Sequence, residues 1–581
     1  MSQARYRTVR AANWLRRQIR SNALWFLALA LLVGLGAGLC AIALGQIARG
    51  TQRLLFGLAQ GEHLSAAEAI VPWRLIALPI GGGLLGLALW CLRRRQAVDI
   101  VEANALHGGR IPARDTAMVV GTTLLSNGFG ASVGLEAAYA QAGGGLASLL
   151  GQRIKLRRSD LRTLMAAGAG AAVSAAFGAP LAGAFYAFEV VLGAYSTATV
   201  APVMLAALAA AVLARAMGMT PYVIAAGGMH PIGTADYMLY AILGLLCAGI
   251  GIALMRLVSL VERAVHRSPL PAHWAPLAGG LLLVPLGLLS HQTLSGGHGA
   301  LNLNLMAEVT IAGLALTILL KMLASAVSLG FGFRGGLFFA SLFLGSLVGR
   351  LYQVVLAQIP GLHVLAPDDA TVVGMAALAV AVVGGPLTMS LLVLEVTHDF
   401  NITGVAVAAT LISSTVARET FGYIFSTWRL HLRGETLRSG RDVGWMRALT
   451  AGQMMRRDVP QLAADASVSA FRERFPLGST TRVVLLDGKG HYAGIVETAA
   501  AWSPDVEPVA EIGTLGKLSQ ARLVPELGIG EVLEMFDRVA ADDLAVVTPD
   551  GRVLGLITER HARRRYAEEL ERSQRELYGE T

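Results

Sequence analysis

Residues 23–48, ALWFLALALLVGLGAGLCAIALGQIA, run without one charged side chain. As a helix rising 1.5 Å per residue, such a run is long enough to cross a hydrocarbon core of roughly 30 Å. It is too long for the apolar region of a secretory signal, and no cleavage pattern follows it. The whole chain agrees: 54% of its 581 residues are hydrophobic, 15% are charged, and the mean hydropathy is +0.56. We read it as a polytopic membrane protein. The net charge of +9 comes from basic clusters flanking apolar segments, RYRTVRAANWLRRQIR, LRRRQ and RIKLRRSDLR. Their placement follows the positive-inside rule and assigns them to the cytoplasmic side, in preference to a nucleic-acid patch. Cys40, Cys91 and Cys247 all lie in apolar segments without metal-ligand spacing, so neither a disulfide framework nor a metal site is expected.

Apolar segments continue to about residue 428 and then give way to charged, mixed sequence. Some are too short to span: as a helix, PLAGAFYAFEVVL (180–192) rises only roughly 20 Å. Segments of this kind enter the membrane partway, with their backbone ends satisfied by protein or by a water-filled cavity. GAPLAGAFYAFEVV (178–191) matches GGPLTMSLLVLEVT (384–397) without a gap, aligning Pro180 with Pro386 and Glu189 with Glu395. Two glycine-rich stretches, GASVGLEAAYAQAGGG and GFGFRGGLFFASLFLG, precede these copies in the same order. The membrane part is therefore a duplicated half. Duplicated halves with short, Gly- and Pro-interrupted segments mark transporters whose broken helices aim their N-termini at an anion. Within the first stretch stands a lone carboxylate, Glu136, with no basic neighbour. An intramembrane glutamate of this kind is a functional candidate.

The tail from about residue 450 has its own repeat. VPQLAADASVSAFRERF and RVVLLDGKGHYAGIVE are echoed by VPELGIGEVLEMFDRV and LAVVTPDGRVLGLIT. Each unit reads as strand, amphipathic helix and hairpin, with turns expected at Asp487-Gly488 and Asp550-Gly551.

Over roughly residues 20–430 the chain resembles the CLC family of chloride channels and proton-coupled chloride exchangers, with a CBS-domain pair behind it. The resemblance implies an all-α polytopic membrane domain of two inverted repeats with broken helices (1–435), a linker (436–449) and a small cytoplasmic α/β CBS pair (450–581). The family signature G-R-E-G-P reads GLEAA here, which puts Glu136 at the gating glutamate with Gly134 and Leu135 lining the anion site. The signature G-x-F-x-P reads GLFFA, without its proline, and offers Gly336, Leu337 and Phe338 to the anion. The inner tyrosine matches Tyr423. The signature G-S-G-I-P reads QAVDI, so Ala97 stands where the family serine gives a hydroxyl. Asp99 and Glu189 are candidates for a proton path; a helix cap is the alternative for Asp99, and a structural role shared with Glu395 is the alternative for Glu189. Val190 occupies the place of the inner glutamate of many proton-coupled members, as in many passive channels of the family.

The function expected is transport of chloride or a similar monovalent anion through a glutamate-gated path, either proton-linked or as a passive channel. It is not an enzyme, and no cofactor or metal is expected. A homodimer in the bacterial inner membrane, with both termini cytoplasmic, is implied. A CBS-regulated divalent cation channel is the alternative of another class, although a cation path calls for more clustered oxygen ligands than the deep segments offer. A nucleotide sensor without transport would leave the duplicated core unexplained. Nucleotide binding by the CBS pair is doubtful. GLITERHA places His561 where the ribose-binding aspartate belongs, and GIVETAA has none.

Overall fold

The computed structural model describes residues 22–92, 97–219, 232–301, 310–360, 365–432 and 449–578. Gln96 and most of the expected linker, residues 436–448, lie outside them. The chain divides into two compact units, 1–442 and 443–581.

The first unit is helical. Its first half contains α1 (Ala23–Phe56), α2 (Ala77–Cys91), α3 (Ile100–His107), α4 (Ala113–Gly128), α5 (Glu136–Ile154), α6 (Arg158–Phe177), α7 (Pro180–Tyr186) and α8 (Thr197–Ala216). The second contains α9 (Thr234–Arg267), α10 (Ala275–Leu289), α11 (Ile311–Gly330), α12 (Phe338–Leu356), α13 (Pro367–Val383), α14 (Pro386–Thr397), α15 (Phe400–Thr420) and α16 (Phe425–Leu432). The duplication extends to length: α1 and α9 have 34 residues each, α2 and α10 have 15, and α5 and α12 have 19. Seven helices among the described residues are long and apolar enough to cross a membrane, whereas Pro180–Leu192, Ala275–Leu289 and Pro386–Thr397 are shorter.

The breaks have a local cause. α6 ends at Gly178 in the left-handed conformation (φ +67°), and Pro180 then opens α7. Likewise Gly384 (φ +82°) ends α13, and Pro386 opens α14. Glycine tolerates a positive φ, and proline can begin a helix but cannot continue one, so each motif stops one helix and starts another. The two short helices pack side by side. Glu189, near the end of the first, accepts from Leu387 N (3.2 Å) and Thr388 N (2.8 Å) at the start of α14. Glu395, near the end of α14, accepts from Leu181 N (2.8 Å) and Ala182 N (2.9 Å) at the start of α7. A cap exchanged in both directions requires the two helices to be antiparallel, so the halves run in opposite senses.

Small residues allow the interior helices to approach closely. A Cβ at Gly143 of α5 would strike Gly168 of α6, and one at Gly345 of α12 would strike Gly374 of α13, so one crossing serves both halves. Large apolar side chains such as Leu32, Leu54, Trp73 and Leu319 point outward instead, as suits a lipid-facing surface.

In the second unit, β1 (Gln461–Ala463), β2 (Arg482–Leu486) and β3 (Tyr492–Glu497) form one sheet, and β4 (Arg522–Leu523), β5 (Asp543–Val547) and β6 (Val553–Thr558) form another. Each sheet pairs its first two strands in parallel and its last two antiparallel. The connecting helices are α17 (Ala451–Met454), α18 (Val468–Arg474), α19 (Thr498–Ala501), α20 (Ile529–Val539) and α21 (Glu559–Tyr578). The second hairpin turns at Gly551 as expected, but in the first the left-handed glycine is Gly490 (φ +80°), not Gly488. The two turns superpose on Asp487 and Thr548, whose amides bond His491 O and Arg552 O at 2.8 Å each. The shared Asp-Gly dipeptides are thus offset by two residues.

Arg482 of the first sheet joins the two halves of this unit. Its guanidinium pairs with Asp543, and with Asp542 at 2.8 Å. Burial pushes the Asp543 carboxyl above the usual carboxylate range, and the Arg482 charge opposes that rise. Arg482→Gln is expected to cost this unit about 1.5–3 kcal/mol, the worth of a charged hydrogen bond, at neutral pH. The Asp543 pKa would rise further in the variant. Its deficit should therefore shrink as pH falls through that pKa, since the protonated acid no longer needs a cation. Thermal melts across pH check this; a deficit that grows on acidification contradicts it.

Candidate functional site

The two glycine-rich stretches meet face to face. Gly134 N donates to Gly336 O (2.9 Å) and Gly336 N to Gly134 O (3.2 Å), a two-residue antiparallel bridge between the halves. The turns are held by a second exchange. Ser126, near the end of α4, accepts from Arg334 N (2.9 Å) in the other half, and Ser328, near the end of α11, accepts from Ser132 N (3.0 Å) in the first. Asn127 Nδ2 donates to Val133 O (2.8 Å), and Gln52 of α1 donates to the Asn127 side chain (3.0 Å). These buried contacts are numerous and specific, which a rigid turn requires.

Directly after this bridge, α5 and α12 begin. Glu136, the first residue of α5, is 3% exposed, and its carboxylate folds back over both glycines. A Cβ at Gly134 would land on the carboxylate, and one at Gly336 would come within 3.2 Å of Glu136 Oε2. Only glycine leaves that seat open. The groups the carboxylate faces are main-chain amides, those of Glu136 itself and of Phe339. They lie close enough to act on it without meeting the geometry of a full hydrogen bond. The Ala137 and Phe338 amides open onto the same space above Gly336. Among the described residues no lysine or arginine side chain is bonded to Glu136, and its carboxyl group sits at the N-termini of two helices. Leu135 and Leu337, the N-cap residues of α5 and α12, are buried beside it.

The third signature lies on the neighbouring helix. Asp99 Oδ1 accepts from Glu102 N (2.8 Å) and so caps α3, while Val98 O accepts from Gln141 of α5 (3.1 Å). Ala97, two residues ahead of that cap, offers no hydroxyl. Tyr423 stands between α15 and α16, its ring 5.4 Å from Trp428, and α16 packs on α3. Glu189 belongs to the exchanged caps and also accepts from Thr388 Oγ1 (2.7 Å).

Other residues at the site carry no motif that sequence reasoning used. Phe339 supplies an amide to the Glu136 seat, and its ring is stacked on His298 with centroids 3.5 Å apart. Lys321 is buried with Nζ donating to Thr293 O (3.2 Å) and Ser295 O (2.7 Å), and has no carboxylate partner among the described residues. Ser126 and Ser328 stand at equivalent places just before the two Gly-Phe-Gly stretches, a signal within reach of the repeat alignment.

Known proteins resemble this chain in sequence and in fold. A putative ClcB-like chloride channel protein of Ralstonia nicotianae is 32% identical over 392 residues, covering 65% of this chain and 90% of that protein. A slow cyanobacterial Cl⁻/H⁺ antiporter superposes with a TM-score of 0.61 at 24% identity, over 70% of this chain and 97% of its own. A eukaryotic CLC transporter does so at 0.59 and 19% identity, over 92% of this chain and 97% of its own, which takes in the C-terminal unit. The sequence model of the voltage gated chloride channel matches residues 81–418. With more than half of its length under that model, and with opposed halves meeting at two helix N-termini, this chain belongs to the voltage gated chloride channel family of anion-transporting membrane proteins.

Proposed function

We propose that the protein carries chloride or a similar monovalent anion through a path gated by Glu136. One observation supports this above all: a buried carboxylate sits on main-chain amides at two helix starts, in the kind of seat an anion would use. The carboxylate is a tethered competitor. Protonation removes its charge and its hold on the amides, so passage of the anion and binding of a proton compete for one place. Gly134, Leu135, Gly336, Leu337 and Phe338 frame the seat, and Ala97 and Tyr423 lie along the path beyond it. The test is purified protein in liposomes with chloride and pH electrodes read together, where chloride flux that rises on acidification is expected and pH-independent flux contradicts the gate.

Proton coupling is the finer choice. Asp99 and Glu189 both spend acceptor capacity on helix starts, and Val190 leaves no carboxylate at the next position. We favour a structural role for Glu189 and Glu395 and weak or absent coupling. The CBS pair serves assembly or regulation in this reading without binding adenine nucleotides: Thr558 Oγ1 accepts from His561 N (3.1 Å) and so caps α21.

The protein is proposed to be a homodimer of the bacterial inner membrane with cytoplasmic termini, the short α7 and α14 lying near the subunit interface. Crosslinking in mild detergent should trap a dimer. Only monomer at high protein concentration would contradict it.

A further inference from the structure

Tyr186 closes α7, and the chain continues as a single π-helical stretch, Ala187–Leu192. Wide turns of this kind occur often at functional sites because they shift the side chains beside them out of the α-helical row. The Tyr186 ring meets the Phe338 ring edge-on with centroids 6.2 Å apart, at the very start of α12. The π-helical stretch that follows packs on α3, the helix capped by Asp99. Tyr186 therefore bridges two of the helix starts already assigned to the path, and the charged groups it faces are Glu136 on one side and Asp99 on the other. It lies deep in the bundle, yet it keeps part of its surface accessible. Among the described residues its hydroxyl makes no hydrogen bond, and it is not sealed from accessible space. A phenol O–H that opens into accessible space is free to donate to whatever occupies that space. Around this residue lie the starts of α12 and α3 and the carboxylates of Glu136 and Asp99. A carboxylate can accept from it, and so can an anion that takes the carboxylate's place.

We propose that the Tyr186 hydroxyl is a ligand of the transported anion, donating to it in the stretch between the Glu136 seat and the Ala97–Asp99 turn. The chemistry suits the position. The main-chain amides at Glu136, Phe338 and Phe339 bind an anion at one end of this stretch, while Ala97 contributes no side-chain donor at the other. A neutral phenol supplies a charge-assisted hydrogen bond without adding a fixed positive charge, so it can hold an anion and let it leave. The inference rests on the anion path proposed above and adds a residue that none of the three signatures contains.

The experiment is chloride titration by calorimetry on the purified full-length protein. It is carried out in the Glu136→Gln background, where the seat is free of its tethered competitor, and is paired with liposome flux. Tyr186→Phe removes only the hydroxyl and should weaken chloride binding about tenfold, the loss of one charge-assisted hydrogen bond. Tyr352→Phe, whose hydroxyl donates to Leu239 O (2.9 Å) away from the seat, should leave binding unchanged. Tyr186→His keeps a ring with an N–H donor and should bind more tightly than Tyr186→Phe. Unchanged chloride affinity in a Tyr186→Phe protein that melts like its parent would overturn the proposal. So would unchanged affinity with loss of coupled proton movement alone, which would make Tyr186 a proton relay. Should Tyr186→Phe fail to fold, histidine binding no better than a Tyr186→Leu variant would count against it equally. Failure of the gate reading shows elsewhere, as pH dependence retained by Glu136→Gln with Tyr186 intact.

Discussion

Glu136→Gln is expected to keep or raise anion flux and to flatten its response to pH. Wild-type flux should climb on acidification because the transport-competent form is the one with Glu136 protonated. Above the midpoint of a titrating carboxylate, the protonated fraction falls about tenfold per pH unit. Glutamine has the shape of the protonated acid and carries no charge at any pH, so the variant should behave at neutral pH as the wild type does in acid. Glu136→Ala should do the same by emptying the seat between Gly134 and Gly336. Any coupled proton movement should vanish in both. Flux at about pH 4.5 and about pH 7.5 compares the two ends of the response expected of a titrating gate. A residue that merely holds the fold makes the opposite forecast: both variants lose flux, and what remains keeps its pH profile.

Glu395→Ala should destabilise the membrane unit by about 2–5 kcal/mol, because it strands two helix-start amides of a membrane-embedded helix. The Leu181 and Ala182 amides at 2.8 and 2.9 Å depend on that one side chain. Glu189→Ala should cost a similar amount, since it abandons the Leu387 and Thr388 amides together with the Thr388 hydroxyl. Glutamine at either place keeps one acceptor oxygen and should cost less. Melting of the detergent-solubilised protein measures this directly. If Glu189 instead carries protons, Glu189→Gln should abolish coupled proton movement with an unchanged melting temperature, which would contradict the structural role proposed here.

Much of this architecture could be read from the chain. The gap-free match of GAPLAGAFYAFEVV with GGPLTMSLLVLEVT located both helix breaks, because Gly178 and Pro180, like Gly384 and Pro386, act through local backbone geometry. The site was legible where it depended on residues close together in sequence, as with Gly134 and Glu136. What escaped depends on the opposite half of the molecule. Glu189 and Glu395 each serve the helix start of the other copy, and Ser126 and Ser328 each bond the other copy's turn. A repeat shows that two positions are equivalent but not that they exchange partners. His298 on Phe339 and Tyr186 on Phe338 escaped for the same reason, since each contact joins segments remote in sequence. In the C-terminal unit the matching Asp-Gly dipeptides suggested one register and the backbone chose another. The left-handed residue is Gly490, with the Asp487 side chain bonded to the Lys489 and His491 amides at 2.8 Å.

The central claim is that the Glu136 carboxylate and the transported anion compete for one seat between Gly134 and Gly336. Its most direct test is anomalous diffraction from crystals of the wild type and of Glu136→Gln, both grown in bromide near neutral pH. A bromide peak should occupy the amides of Glu136, Phe338 and Phe339 in the variant and be absent there in the wild type, whose own carboxylate fills the place. A wild-type map with bromide in that seat while the carboxylate keeps its position, or a variant map with the seat empty of bromide, would contradict the account.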